Sequence, residues 1–347
     1  MVEHVETRLP RRRLGRTAYH LSVVGVGGWL GIVHDAAAQA SEGTNPGGEI
    51  GTPADRATRE QTAIDGVQRA IDLGINYFDT APMYLDGEAE RLLGIGLNAL
   101  PATVREHVYV STKVGWHPDR PHQYDAATIY WSLEMSLRQL FTDRLDIVHI
   151  HYPYTDAHMD QILGVDGAVE ALERLKAEGV VGAISLGVRP HRFLQRAIRS
   201  GRFDAIMTTY DYHLTRSSAA AVIDEADANG VGVFNASPYN AGLLAGIDPE
   251  AAARVRPPNS PQDLAQAKEL WAWAEQWGVD LGAVAMQYSL RNEKIAVTVA
   301  GPRNADEVEA NVRHALTPLP PGIWQDLAEF LTTITPASPG GEGGTPA

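Results

Sequence analysis

Cysteine is absent from all 347 residues. That removes disulfides, thiolate metal sites and cysteine nucleophiles, and with them any aldehyde oxidation through a thiohemiacetal. No apolar run approaches the roughly 20 residues that cross a bilayer, so no membrane partner is expected. Positive charge is in deficit: 29 Lys and Arg against 43 Asp and Glu give a formal charge of −14. Phosphate backbones are met by basic faces, so nucleic acid is not expected as a partner. Also missing is a Gly-x-Gly-x-x-Gly turn after a strand, the usual phosphate cradle of an open dinucleotide-binding sheet.

What is present is ordinary globular composition, 44% hydrophobic and 21% charged, at a length that suits one α/β barrel. From Ser22 onward, short β-branched runs alternate with helical stretches, the pattern of βαβ units around a parallel sheet. Eight runs qualify: SVVGVG (22–27), INYFD (75–79), VYVSTK (108–113), DIVHIH (146–151), GAISLG (182–187), DAIMTT (204–209), GVGVFNA (230–236) and IAVTVAG (295–301). Eight is the barrel number, whereas an open doubly wound sheet usually stops at about five or six. Between them, residues such as Ile64, Val67, Ala70 and Ile71 share one helical face, and Asp125 stands where it can cap the helix carrying Ile129, Leu133 and Leu137.

The expected fold is therefore α/β, a single-domain (β/α)8 barrel over 22–335 with extended loops on the catalytic face. An N-terminal segment and β-hairpin occupy 1–21, and a disordered tail 336–347. Residues 31–58 and 248–262 read as long surface loops. Arg11, Arg12 and Arg13 before LSVVGVGGWLGIV also fit a twin-arginine export signal with a small-residue site at 36–40. The hairpin reading is preferred, because cleavage near Ala40 would remove the first strand. The expected location is cytoplasmic. Nothing in the chain specifies an oligomeric state.

In such barrels the carboxyl ends of the strands face the active site. Asp79 ends the second strand, Tyr84 follows in DTAPMY, Lys113 ends the third strand and His151 the fourth. Singly, each has an ordinary structural explanation. Together, on the mouths of consecutive strands, they are hard to explain as packing. His149 and His151 form an H-x-H whose side chains point the same way, a pair that a metal-dependent barrel hydrolase could use. No later strand ends in a histidine to complete such a site, and no metal is expected.

The motifs INYFDTAPMY, GEAERLLG, STKVG, DIVHIHYP, ASPYNAGLLAG and AGPRNADEVEAN, in this order, resemble the aldo-keto reductases over nearly the whole chain, and most the branch containing aldose 1-dehydrogenases of L-fucose or L-galactose type and pyridoxal dehydrogenase. The resemblance implies hydride transfer between a nicotinamide cofactor, NAD or NADP, and a small-molecule sugar hemiacetal, alcohol, aldehyde or ketone. General aldehyde or ketone reduction is the alternative, and a non-catalytic nucleotide-binding subunit a more distant one. It implies Tyr84 as general acid/base, Lys113 lowering its pKa, Asp79 holding Lys113, and His151 orienting the substrate oxygen. Its cofactor lies on the loops after the seventh and eighth strands: Ser237, Tyr239, Asn240 and Gly242 in the first, Gly301, Arg303, Glu307 and Asn311 in the second, with Gly28 and Asp79 nearby. Trp29 and Trp116 would join Tyr84 and His151 around the substrate.

Four positions depart from the family pattern. Gly187-Val188 replace a Ser-Asn that binds the carboxamide, and Ala236 replaces an aromatic that stacks on nicotinamide, leaving Tyr210, Tyr212 or Tyr239 to supply that face. Glu307 replaces a basic residue that meets the 2′-phosphate of NADP. A carboxylate there leans toward NAD, with Arg303 pulling the other way.

Overall fold

The computed structural model describes residues 9–28, 30–31 and 53–334. Eight parallel strands close into a barrel: β3 (Val24–Val26), β4 (Tyr77–Asp79), β5 (Tyr109–Val114), β6 (Leu145–His151), β7 (Val181–Gly187), β8 (Ala205–Thr209), β9 (Gly232–Ala236) and β10 (Val297–Ala300). Each pairs with its sequence neighbour, and β10 closes the ring on β3 through Thr298 opposite Val24. Every expected strand is found: β3, β4, β8, β9 and β10 are shorter than expected by one to three residues, β6 and β7 begin one residue earlier, and β5 is displaced by one.

Alternation of side chains across each strand makes two cores. Inside the barrel, Tyr77, Ile147, Ala183, Ala205, Phe234 and Val297 pack together, with Tyr77 stacked on Phe234 at 5.0 Å. Outside, β-branched residues meet the apolar stripes of the surrounding helices. The Asp125 side chain accepts from the Thr128 amide, capping α4 (Ala126–Gln139) as its position suggested.

Two expected loops are partly helical. Of 31–58, the last six residues belong to α1 (Pro53–Asp72), begun by a proline that suits a helix's first turn. Of 248–262, seven residues form α9 (Pro249–Val255), capped by Asp248, and Ser260 caps α10 (Pro261–Trp277). In both stretches proline content signals a loop, while the same prolines occupy helix starts. Residues 32–52, Trp29 and the tail from 335 lie outside the described residues.

The arginine triplet is a strand. β1 (Arg11–Arg13) pairs antiparallel with β2 (His20–Ser22), and the hairpin plugs the amino-terminal end of the barrel with Leu14 and Leu21. Gly15 (φ +48°) makes that plug possible: a Cβ there would stand 2.4 Å from the Gly232 amide nitrogen. The Arg12 guanidinium donates to the carbonyls of Leu290 (2.6 Å), Ile295 (2.8 Å) and Asn292 (3.1 Å), tying the hairpin to the end of α11 (Leu281–Leu290). Among the described residues no helix is long and apolar enough to cross a membrane. Arg12→Ala, which orphans three carbonyls, should cost about 1–3 kcal/mol in denaturant unfolding without moving the barrel mouth. A loss below about 0.3 kcal/mol would show that water replaces the guanidinium freely.

Candidate active site

The strand pattern sets the site. On three consecutive strands, residues two apart face the barrel interior: Tyr77 and Asp79 on β4, Ser111 and Lys113 on β5, His149 and His151 on β6. Lateral pairing places Asp79 opposite Ser111 and Lys113 opposite His149. The Lys113 ammonium lies 2.6 Å from Asp79 Oδ2, with both side chains at most 5% exposed. It also donates to the Thr80 carbonyl at 2.8 Å and hydrogen-bonds the Tyr84 phenol, whose ring centroid is 4.7 Å away. Tyr84 opens a single 3₁₀ turn, Tyr84–Gly87, which carries its ring back over the strand ends. Against that ring sits Gly28, where a Cβ would stand 2.6 Å from Tyr84 Cδ2. Only glycine permits this approach.

The four residues singled out from sequence thus converge. His151 lies edge-on to Tyr84, with centroids 6.4 Å apart, and 5.6 Å from Trp116. Burial, with help from the charges of Lys113, His149 and His122, holds its pKa well below the ordinary histidine value, so the ring is neutral. Tyr124 pins the strand end by donating to the His151 carbonyl at 2.9 Å.

One electrostatic expectation is overturned. Lys113 does lower the Tyr84 pKa through charge and hydrogen bond, but burial of the phenol outweighs it and Asp79 adds to burial, so the net shift is upward. The reason is desolvation: a phenolate withdrawn from water loses more than one shared ammonium returns.

The metal reading of the H-x-H finds no support in geometry. His149 Nε2 faces the Tyr77 hydroxyl at 3.3 Å and Asp79 Oδ1 at 3.6 Å, and among the described residues no three His, Asp or Glu side chains form a metal-binding group.

The loops after β9 and β10 lie side by side because their strands pair, Val299 against Ala236, and Ser237 N donates to the Val299 carbonyl at 3.3 Å. Ser237, Asn240, Ala241 and Gly242 all have left-handed backbone. The Asn240 Nδ2 is buried with no hydrogen-bond partner among the described residues. In the second loop Asn304 caps α12 (Ala305–Leu316), Gly301 is exposed and Asn311 is buried on the helix. Arg303 and Glu307 grip each other: the Arg303 amide donates to Glu307 Oε2 at 2.8 Å and its Nε to Oε1 at 2.7 Å.

Of the three tyrosines left open above, two turn into the helix layer. The Tyr239 hydroxyl meets His314 Nδ1 at 2.9 Å, and the Tyr212 hydroxyl accepts from Asn292 at 3.1 Å. Tyr210 remains at the mouth, within electrostatic range of Tyr84. Arg256 holds its hydroxyl at 2.9 Å and Arg216 its carbonyl at 3.0 Å.

A barrel with these six motifs in order and this ion pair at its mouth can be compared with known proteins. The model of the Aldo/keto reductase family matches residues 47–331. The chain belongs to the aldo/keto reductase family. It is 32% identical to the D-threo-aldose 1-dehydrogenase of a Pseudomonas species, over 81% of this chain and 91% of that protein. With the L-galactose dehydrogenase of Arabidopsis thaliana it shares 30% identity, covering 88% of each. An aldo-keto reductase of Bacillus halodurans, solved in its holo form, has the same fold, with a TM-score of 0.66 at 24% identity over 93% of this chain and 96% of that one.

This aldo/keto reductase is an NAD(P)-dependent oxidoreductase. Its loops fit a dinucleotide: the buried, unpartnered Asn240 donor and the left-handed turns around it suit phosphate or amide groups, beside the start of α12. Sequence reasoning missed Tyr77 and Ser111. Both stand two residues before a singled-out position on the same strand, so the strand period was the available signal. Lys113→Met leaves the Asp79 carboxylate buried without its cation and should destabilise the fold by about 3–5 kcal/mol, with Asp79→Asn costing less because an amide can still accept from Lys113. Equal unfolding midpoints for Lys113→Met and wild type would show that the pair is not a buried ion pair in solution.

Proposed function

We propose that this aldo/keto reductase oxidises the anomeric carbon of a cyclic sugar hemiacetal to a lactone, with Tyr84 as the proton-transferring residue and NAD as the preferred cofactor. The observation that carries the reading is the Lys113 ammonium, buried and shared between the Asp79 carboxylate and the Tyr84 phenol beside a neutral His151. A bound nicotinamide would supply the hydride acceptor or donor. The chain's own residues handle the oxygen and its proton. A neutral His151 can donate a hydrogen bond to the substrate oxygen and hold it toward Tyr84, without competing as an acid. Tyr84 accepts the hydroxyl proton in oxidation and returns it in reduction, and Lys113 steadies the phenolate. Hemiacetal oxidation needs no covalent intermediate, which suits a chain without cysteine.

The substrate class rests on two supports: relatives named for aldose and galactose oxidation, and an aromatic wall beside His151. Trp116 lies within 5.8 Å of Tyr152 and 6.3 Å of Tyr154 between ring centroids. Faces of this kind receive the C–H side of a sugar ring. Trp29, the other indole expected around the substrate, lies outside the described residues, and Tyr210 is proposed on the nicotinamide side. Ser237, Asn240, Gly242, Gly301 and Asn311, with Gly28 and Asp79, are proposed to contact the cofactor. Tyr239 would reach it only through its backbone.

Tyr84→Phe should bind the cofactor normally while kcat falls by roughly two to four orders of magnitude. Because burial raises the Tyr84 pKa, the phenol is neutral near pH 7. The base form grows with pH, so kcat/KM for oxidation of L-galactose should climb through about pH 10 without a plateau. A plateau below about pH 9, with chemistry shown to limit the rate, would contradict the raised pKa.

Cofactor preference turns on Arg303. Sequence alone left it free to grip a 2′-phosphate, but here its guanidinium is committed to Glu307. Wild type should favour NAD over NADP by roughly ten- to thirtyfold in kcat/KM, the effect of about 1–2 kcal/mol of partly screened repulsion. Glu307→Ala, which releases Arg303, should narrow or reverse that ratio. Strong NADP preference in wild type, unchanged in Glu307→Ala, would place the adenosine ribose elsewhere.

A further inference from the structure

Beneath the proposed proton-transfer pair lies a second buried polar chain. Ser111 Oγ is 2.7 Å from Asp79 Oδ1, the Tyr77 hydroxyl is 2.7 Å from Ser111 Oγ, and His149 Nε2 is 3.3 Å from the Tyr77 oxygen. All four side chains are buried. The proton positions follow from counting donors. Asp79 accepts, so the single Ser111 proton goes to Oδ1; its other acceptor, the Phe78 carbonyl at 3.5 Å, is too distant to compete with a charge-assisted bond. Ser111 Oγ must then accept from Tyr77, since two oxygens 2.7 Å apart with no proton between them repel. The Tyr77 oxygen, having given its proton, accepts from His149 Nε2. Neutral His149 therefore carries its proton on Nε2, leaving Nδ1 a bare acceptor. Consistently, Nδ1 is buried without a partner among the described residues, and burial holds the ring pKa down to about 4.

We infer that Tyr77, Ser111 and His149 form a one-way hydrogen-bond chain ending on Asp79, which makes them positioning residues for proton transfer at Tyr84. Each donation points toward the carboxylate, so the chain stabilises the charge on Oδ1 while Lys113 holds Oδ2. Without the Ser111 donor, Asp79 draws harder on the Lys113 proton and Lys113 supports the Tyr84 phenolate less. The groups that face Tyr84 are Lys113 and Asp79 from β5 and β4, Tyr77 below, His151 and Tyr152 at the end of β6, and Tyr210 after β8. Of these, only Lys113 and Asp79 touch the chain's terminus directly. The inference rests on Tyr84 acting as the acid/base.

The test compares Ser111→Ala and Tyr77→Phe with wild type in oxidation of L-galactose by NAD across pH. Tyr77→Phe keeps the ring stacked on Phe234, so a packing defect is not expected there. Ser111→Ala should lower kcat near pH 8 about tenfold and move the alkaline limb upward by roughly one unit, the size of one lost hydrogen bond to a charge. Tyr77→Phe should shift the limb the same way by less, and NAD binding should hold in both. ¹⁵N spectra of histidine-labelled protein, assigned with His149→Asn, should show His149 protonated on Nε2. Unmoved pH profiles in both folded variants, or a His149 protonated on Nδ1, overturn the chain. A fully active Tyr84→Phe overturns instead the reading on which it rests, while wild-type protein unable to oxidise L-galactose overturns the sugar reading and leaves the ¹⁵N spectra to decide the chain.

Discussion

A lysine and an aspartate 2.6 Å apart, both out of reach of water, are the constraint around which this barrel is arranged. Ion pairs of this kind give little net stability, because desolvating both charges costs about what their attraction returns. They persist only where further hydrogen bonds complete them. Here Thr80 and Tyr84 complete the ammonium and Ser111 the carboxylate, so each charge meets protein donors or acceptors where water would otherwise stand. Interior alternation on β4 and β5 supplies Asp79, Ser111 and Lys113, and the segment that follows β4 supplies Thr80 and Tyr84.

The same desolvation decides how the site behaves. It pushes Tyr84 up in pKa against the pull of Lys113, and pushes His151 and His149 down until both rings are neutral. A neutral phenol beside a fixed ammonium, with a neutral imidazole edge-on to it, can exchange a proton with a substrate oxygen, and the ammonium meets the negative charge that the phenol takes on when it gives its proton up. Gly28 and the short 3₁₀ turn matter for a plainer reason: they let the Tyr84 ring reach over the strand ends at all.

Across the mouth, the loops after β9 and β10 are shaped by their own internal bonds. The Arg303–Glu307 grip takes a cation of the right chemistry for a phosphate and holds it within one helical turn. Arg216 and Arg256 hold Tyr210 in a left-handed conformation that few tyrosines adopt. In both places arginine serves as a clamp on the protein itself, which fits a chain whose overall charge is strongly negative.

Much of this was already written in the chain. Eight β-branched runs with helical spacers point to a closed parallel barrel, because an open doubly wound sheet usually stops at about five or six strands. The strand ends then locate Asp79, Tyr84, Lys113 and His151 at one face, since alternation is a local property of any strand. Where prolines marked loops, as at 53 and 261, the local signal was ambiguous because proline also starts helices. Tertiary structure alone decided the rest. Which of Tyr210, Tyr212 and Tyr239 faces the site depends on partners such as Arg256, Asn292 and His314, distant in the sequence. Whether Lys113 or burial controls Tyr84 depends on how completely the barrel excludes water. Whether His149 serves a metal or a hydrogen-bond chain depends on Tyr77, brought to it from 72 residues away. Pattern along the chain fixes which way a side chain points; only the closed barrel fixes what it meets there.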